Sequence, residues 1–167
     1  MKVTNVILAG LGGQGVLKAS DILADAAVRA GLDVKKAEVH GMSQRGGSVT
    51  SDVRFGERVL SPMVPRGEAH FLLVLAPSEV EVTRPLLRPG GLLLGPDLVP
   101  ESELPNRRSL NVALLGALSC HLPFPAELLL AAVKAALPER LHQLNEQAFA
   151  LGRAAGARIS PAREDGP

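Results

Sequence analysis

The residues best placed to do chemistry fall in two glycine-bearing segments. The first, Gly10-Leu11-Gly12-Gly13-Gln14-Gly15, matches the G-x-G-x-x-G pattern and lies between an apolar run and a helix-period run. Glycines there let the backbone turn tightly and approach a ligand, while the first amides of the helix are free to hold an anion. Glu38 ends the next strand-like run, where a dinucleotide site places the acid that binds a ribose. A tight strand-to-helix turn packed on a neighbouring surface would use the same glycines. Gly13 and Gln14 are foreign to the dinucleotide fingerprint and point to a loop shaped for something else.

The second segment, from His40 to Ser48, reads HGMSQRGGS. Gly46-Gly47 after Arg45 admits positive φ, exposes backbone donors and fixes the guanidinium at a loop end. Arg45, and Arg54 beyond it, could pair with a phosphate or carboxylate through two parallel hydrogen bonds. A solvated surface turn is the plainer alternative. Both glycine segments are predicted at the carboxyl ends of neighbouring parallel strands, where open α/β sheets place ligands.

The remaining candidates are weaker. His40, His70, His121 and His142 show no H-x-x-x-H spacing, so no metal site is expected. His70 opens an apolar run and reads as a structural end-cap. Cys120 lies among leucines and reads as packing rather than a nucleophile. Asn111 and Asn145 suit helix caps or loop hydrogen bonds, and Arg107-Arg108 a solvated loop. No catalytic residue is assigned.

The elements that must position these loops follow from periodicity. Residues 3–9 form a short buried strand, and residues 14–30 an amphipathic helix ended by Gly31. Residues 33–39 form a second strand, predicted to pair in parallel with the first through a right-handed crossover. Residues 48–55 alternate as a half-buried strand, and Gly56-Glu57 is read as turning into a hairpin with residues 58–60. HFLLVLA, residues 70–76, is the strongest central-strand signal, followed by a helix over 77–87 with Ser78 as N-cap. Residues 91–94 form another buried strand after a Pro-Gly-Gly turn, residues 96–108 a proline-bearing loop, and residues 110–121, 125–137 and 138–154 three helices. The fold class is α/β: a Rossmann-like layered sheet, mostly parallel with an antiparallel hairpin, and a helical C-terminal third. Residues 1–154 form one domain and 155–167 a flexible tail.

Composition narrows the function. The 167 residues carry 18 basic and 17 acidic side chains, a net charge of +1, which argues against nucleic-acid binding. With no Trp or Tyr and only four Phe, stacking platforms for single strands are almost excluded. One cysteine rules out a disulfide framework and a self-contained iron–sulfur cluster, which takes about four thiolates. The N-terminal apolar run is too short for a signal peptide and no run would span a membrane, so a cytoplasmic location is expected.

Taken together, AGLGGQGVLKASDILADAA and EVHGMSQRGGSVTSDVRFG resemble the gamma-type domain of 2-oxoacid:ferredoxin oxidoreductases, most of all the small (beta) subunit of the indolepyruvate type. The resemblance continues through Ser61-Pro62, Ala76-Pro77-Ser78-Glu79, Asn111, Leu115-Gly116-Ala117, Asn145, Ala148-Phe149 and Gly152, over residues 3–152. The proline-rich stretch over 96–105 departs from it.

The resemblance implies a subunit of a larger enzyme in which thiamine diphosphate, Mg2+ and [4Fe-4S] clusters are carried by a large partner, CoA is a co-substrate, and ferredoxin takes the electrons. This chain would close the active site or border the CoA entrance. Gly10, Gly12, Gly13, Gln14, Gly15, Gly41, Gln44, Arg45, Gly46 and Gly47 would face a cofactor or the partner. A free-standing dinucleotide oxidoreductase using Gly10, Gly12, Gly15 and Glu38 stays open, as does an assembly module whose loops touch only protein. Without its partner the chain is expected to dimerise.

Overall fold

The computed structural model describes residues 2–40 and 47–161. The first strand, β1 (Thr4–Leu11), is the middle of a five-stranded sheet. Helix α1 (Val16–Arg29) follows, burying Val16, Ala19, Leu23, Ala26 and Ala27 as the helical period requires. It ends before Gly31, which takes the left-handed φ of 80°. Next come β2 (Asp33–His40), β3 (Ser48–Gly56) and β4 (Ala69–Val74). Then α2 (Pro77–Thr83) leads through a 3-10 turn into β5 (Leu87–Leu94). Helices α3 (Leu110–Ser119), α4 (Ala126–Ala136) and α5 (His142–Gly156) complete the chain.

The strand order is β2-β3-β1-β4-β5, with β3 antiparallel to both its neighbours and the β1–β4 and β4–β5 pairs parallel. Four of the five strands therefore run the same way, so the sheet is mostly parallel by direction. The expected direct pairing of β1 with β2 does not occur, because β3 inserts between them. The antiparallel hairpin is β2–β3, and not β3 with residues 58–60. Both edges of β3 are already paired, Thr4 facing Phe55 on one side and Val34 on the other, so no ladder remains for residues 58–60.

Three side chains instead hold that returning segment as a loop. The Val59 amide donates to Asp33 Oδ2 at 2.8 Å, and the Val64 amide to Asp52 Oδ2 at 2.8 Å. Arg54 donates to the Ser61 and Met63 carbonyls at 2.9 and 3.2 Å. Strand β3 is half-buried as its alternation predicts: Val49, Ser51, Val53 and Phe55 are buried, while Ser48 is exposed and Thr50 and Arg54 are partly so. Asp52 departs from that face because the loop it clamps covers it, and burial pushes its carboxyl above the usual range.

The two faces of the sheet are unequally covered. Val6, Leu8, Val53, Phe55 and Leu73 pack with α1, α3, α4 and α5 in one large core. Ile7, Ala9, Leu72 and Val74 form a smaller cluster under Val64, Val80 and Leu86. Helix α3 is buried all round, which matches a segment apolar on every side. Two smaller expectations are corrected. Pro77 opens α2 with Ala76 at the cap position, so Ser78 lies inside the helix, as a proline at the first helical position favours. Pro89-Gly90-Gly91 belongs to the irregular edge strand β5, where a missing amide is tolerated. Helix α5 ends at Gly156, which is buried against Ala117, and Ile159 packs on the core. Among the described residues no helix is long and apolar enough to cross a membrane.

At the end of the sheet away from the glycine segments, the Asn5 amide donates to His70 Nδ1 at 3.0 Å. Burial, then the Arg88 charge, holds the imidazole below its usual value of 6.5. The unfolded chain therefore binds the extra proton first, and stability falls as pH drops below about 6.5. His70→Asn keeps an acceptor for Asn5 without the titration. Thermal melts from pH 7 to 5 should show a shallower decline for the variant than for the wild type, and parallel curves would refute this.

Candidate functional site

The first glycine segment is built from within. Gln14 Oε1 accepts from the Leu11 amide at 2.7 Å and Gln14 Nε2 donates to the Leu75 carbonyl at 3.4 Å. Its amide is thus spent on shaping the loop and tying it to the end of β4. Gly10 is a packing glycine, since a Cβ there would lie 2.8 Å from Gln14 Oε1 and 2.9 Å from Val16 Cγ2. Gly13 and Gly15 take φ of 86° and 84°, a conformation that costs other residues about 1–2 kcal/mol. Asn111 Nδ2 donates to the Gly15 carbonyl at 3.3 Å and fixes the start of α1 against α3.

Gly15 caps α1 without a side-chain acceptor, so the first-turn amides of the helix are left for an anion or for solvent. They border a cleft of about 1120 Å³. Gly13, Gln14, Gly15 and Lys18 form its floor, while Leu75, Pro77, Val80 and Glu81 come from the β4–α2 turn. The opposite wall is the proline-rich stretch: Pro96, Asp97, Val99, Glu101, Leu104, Arg107 and Arg108, closing on Leu110 and Asn111. This is the carboxyl end of β1, β4 and β5, where the strand order changes direction around β1.

The second glycine segment meets the first. The Gly12 amide donates to the Gly47 carbonyl at 2.9 Å, and the Ser48 hydroxyl donates to Glu79 Oε1 at 2.9 Å. Gly41, Gln44, Arg45 and Gly46 lie outside the described residues. The expected adjacency of the two segments therefore holds at Gly12 and Gly47, although β2 is not next to β1.

Glu38 is not brought to the cleft by a neighbouring strand. With β3 inserted, β2 lies two strand spacings from β1, about 9–10 Å. Glu38 instead accepts from Lys36 at 3.3 Å. The dinucleotide arrangement, which needs the acid on the strand beside β1, is not formed. Arg54 is likewise committed to Asn5 and to the 57–68 loop.

The residues that sequence reasoning missed are Lys18, Arg107, Arg108 and Glu79. Arg107 and Arg108 read as a solvated loop and are exposed, yet they line the cleft. The cleft exists only because the 96–108 stretch folds back through two 3-10 turns, one of them capped by Asn106 accepting from the Arg108 amide at 2.8 Å. In the sequence Glu79 stands out only as part of the Ala76-Pro77-Ser78-Glu79 step. Cys120 is half-buried at the end of α3, its thiol 3.3 Å from the Arg153 carbonyl.

Comparison with known proteins gives a consistent answer. Residues 5–105 match the family model described as pyruvate ferredoxin/flavodoxin oxidoreductase. The indolepyruvate oxidoreductase subunit IorB of Thermococcus kodakarensis is 50% identical over 93 residues, which are 56% of this chain and 46% of that protein. The match thus spans just under half of that relative, and the same holds for the Pyrococcus horikoshii subunit, at 47% identity. The Methanothermobacter thermautotrophicus IorB is 32% identical over 92% of this chain and 97% of its own length. Among solved structures, the keto/oxoacid ferredoxin oxidoreductase gamma subunit of Geobacter sulfurreducens superposes with a TM-score of 0.78 at 22% identity, covering 93% of this chain and 99% of that one. The 2-oxoglutarate:ferredoxin oxidoreductase of Magnetococcus marinus, solved with 2-oxoglutarate, coenzyme A and succinyl-CoA bound, superposes at 0.84 and 22% identity, over 98% of this chain and 32% of that one. At that identity the two structures support the fold, while the family match covers more than half of the sequence. The chain belongs to the pyruvate ferredoxin/flavodoxin oxidoreductase family.

Proposed function

We propose that the chain is the small subunit of an indolepyruvate-type 2-oxoacid:ferredoxin oxidoreductase, working in the cytoplasm as part of a larger complex. The observation that carries this is its match to a subunit of that name over 92% of its length. The chain's own donors do not fit the redox groups of such an enzyme. One thiol, already directed at a backbone carbonyl, cannot ligate a cluster that takes about four. The described histidines are scattered: His70 accepts from Asn5, and His121 and His142 meet carbonyl oxygens. As the resemblance implies, thiamine diphosphate, Mg2+ and the [4Fe-4S] clusters would be carried by the large partner, which would pass electrons to ferredoxin.

This chain's part is to present the paired glycine segments and the cleft beside them. Lys18, Arg107 and Arg108 and the uncapped amides of α1 suit the phosphates of CoA, and Leu75, Val80, Val99 and Leu104 suit its apolar parts. Arg45, three residues before Ser48, would supply a further charge to CoA or to a partner carboxylate.

The test is co-expression with the large subunit. A brown, cysteine-rich polypeptide should co-purify, and only the assembled pair should reduce ferredoxin with an arylpyruvate and CoA. Arg45→Ala should raise the KM for CoA at least tenfold. A chain that binds NAD(H) alone at micromolar concentration and captures no large subunit would overturn the assignment. If loop variants lost assembly but kept CoA affinity in the surviving complex, the loops would serve assembly alone.

A further inference from the structure

Glu79 is the most heavily buried carboxylate among the described residues, at 7% exposure. It sits in the first turn of α2, beside Val80 of the smaller apolar cluster. Desolvating a carboxylate costs several kcal/mol unless it is hydrogen-bonded, and packing alone would be served by leucine. Its backbone is fully used: the amide donates to the Ala76 carbonyl at 3.0 Å, and its carbonyl accepts from Thr83 Oγ1 at 2.6 Å. The helix therefore holds the carboxylate in place, and that carboxylate takes the Ser48 hydroxyl at 2.9 Å.

Ser48 is where the second glycine segment enters β3. One residue earlier, the Gly47 carbonyl receives the Gly12 amide. The line Glu79–Ser48–Gly47–Gly12 thus runs from the β4–α2 turn through the exit of one glycine segment to the crown of the other. Gln14 closes the ring by donating to Leu75, four residues before Glu79.

We propose that Glu79 is a positioning residue, whose carboxylate, through Ser48, fixes the Gly12–Gly47 rung that extends the β1–β3 pairing beyond Leu11 and Ser48. The proposal rests on the reading that the glycine segments joined by this rung meet CoA or the large subunit. A carboxylate suits the task because it is acceptor-only, so the Ser48 hydroxyl has one orientation, and a glutamine oxygen at the same place can accept the same bond.

The test uses Ser48→Ala, Glu79→Ala and Glu79→Gln. In the full-length chain, hydrogen exchange at the Gly12 amide should rise about fivefold or more in both alanine variants and return near wild type in Glu79→Gln. In the complex with the large subunit, the alanine variants should raise the KM for CoA, or the dissociation constant of the subunits, at least fivefold. The kcat should stay within about twofold, again with rescue by glutamine. Unchanged Gly12 exchange in Ser48→Ala overturns the latch. Faster exchange with unaltered KM and assembly overturns the positioning role. A wild-type chain that assembles with no large subunit defeats the functional reading instead, and the exchange result still decides the latch.

Discussion

Gly152→Ala is expected to destabilise the chain by about 3 kcal/mol or more, lowering the melting temperature by roughly 10 °C. Helix propensity alone predicts the opposite sign, because alanine is favoured over glycine inside a helix by about 1 kcal/mol. The reversal comes from α5 lying backbone to backbone on α3. A Cβ at Gly152 would fall 1.6 Å from the Ala113 carbonyl oxygen, which belongs to a helix buried on every side. Gly156 faces Ala117 in the same way at 2.4 Å, and Gly116 faces Phe149 from the other helix at 2.2 Å. No side chain can rotate away from such a contact, so the helices must part and lose packing along their whole length. Denaturant melts of Gly152→Ala and of Gly31→Ala check this. Gly31 also has positive φ but open space, and its variant should lose only about 1–2 kcal/mol. A Gly152→Ala chain as stable as the wild type would show that the contact is not tight.

The second large effect is expected at Gly15. Alanine there must adopt φ near 84° and would place its Cβ 2.6 Å from Asn111 Nδ2, displacing the side chain that ties α1 to α3. Strain of about 1–2 kcal/mol and a lost hydrogen bond of about 1 kcal/mol lower stability by roughly 2–3 kcal/mol. The larger consequence is functional, since the first turn of α1 shifts at the floor of the cleft. CoA-dependent turnover of the assembled enzyme should fall at least tenfold at a temperature where the variant is folded. Gly31→Ala, strained but at the far end of α1, should leave turnover within about twofold. Equal activities in the two variants would separate the α1 terminus from function.

The outcome at particular residues shows where sequence reading held and where it stopped. The strand over residues 3–9 and the helix ended by Gly31 were legible because hydrophobic period and glycine position are local signals. The hairpin was misplaced because pairing partners are not local. Gly56-Glu57 looks like a turn, but whether a ladder edge is free there depends on β2 and β1 arriving on either side of β3. Gln14 reads as a group facing a ligand and does line the cleft, but only the position of Leu75 shows that its amide also shapes the loop from within. Arg107 and Arg108 gave no signal, since a charged loop reads the same over solvent or over a cleft.

Counting atoms needs no geometry, so the single thiol by itself shows that this chain cannot supply the ligands of a cluster, which takes about four. The sequence by itself thus determined the class of the fold, the glycine segments and the family they belong to. Tertiary structure decided three things: the insertion of β3 that keeps Glu38 from the first loop, the cleft closed by the 96–108 wall, and the buried Glu79 that meets Ser48 beside the Gly12–Gly47 pair. The physical reason is the same in each case. Period and turn chemistry act between residues a few positions apart, whereas strand order, cavity shape and a buried hydrogen bond are set by segments that meet only after the chain has packed.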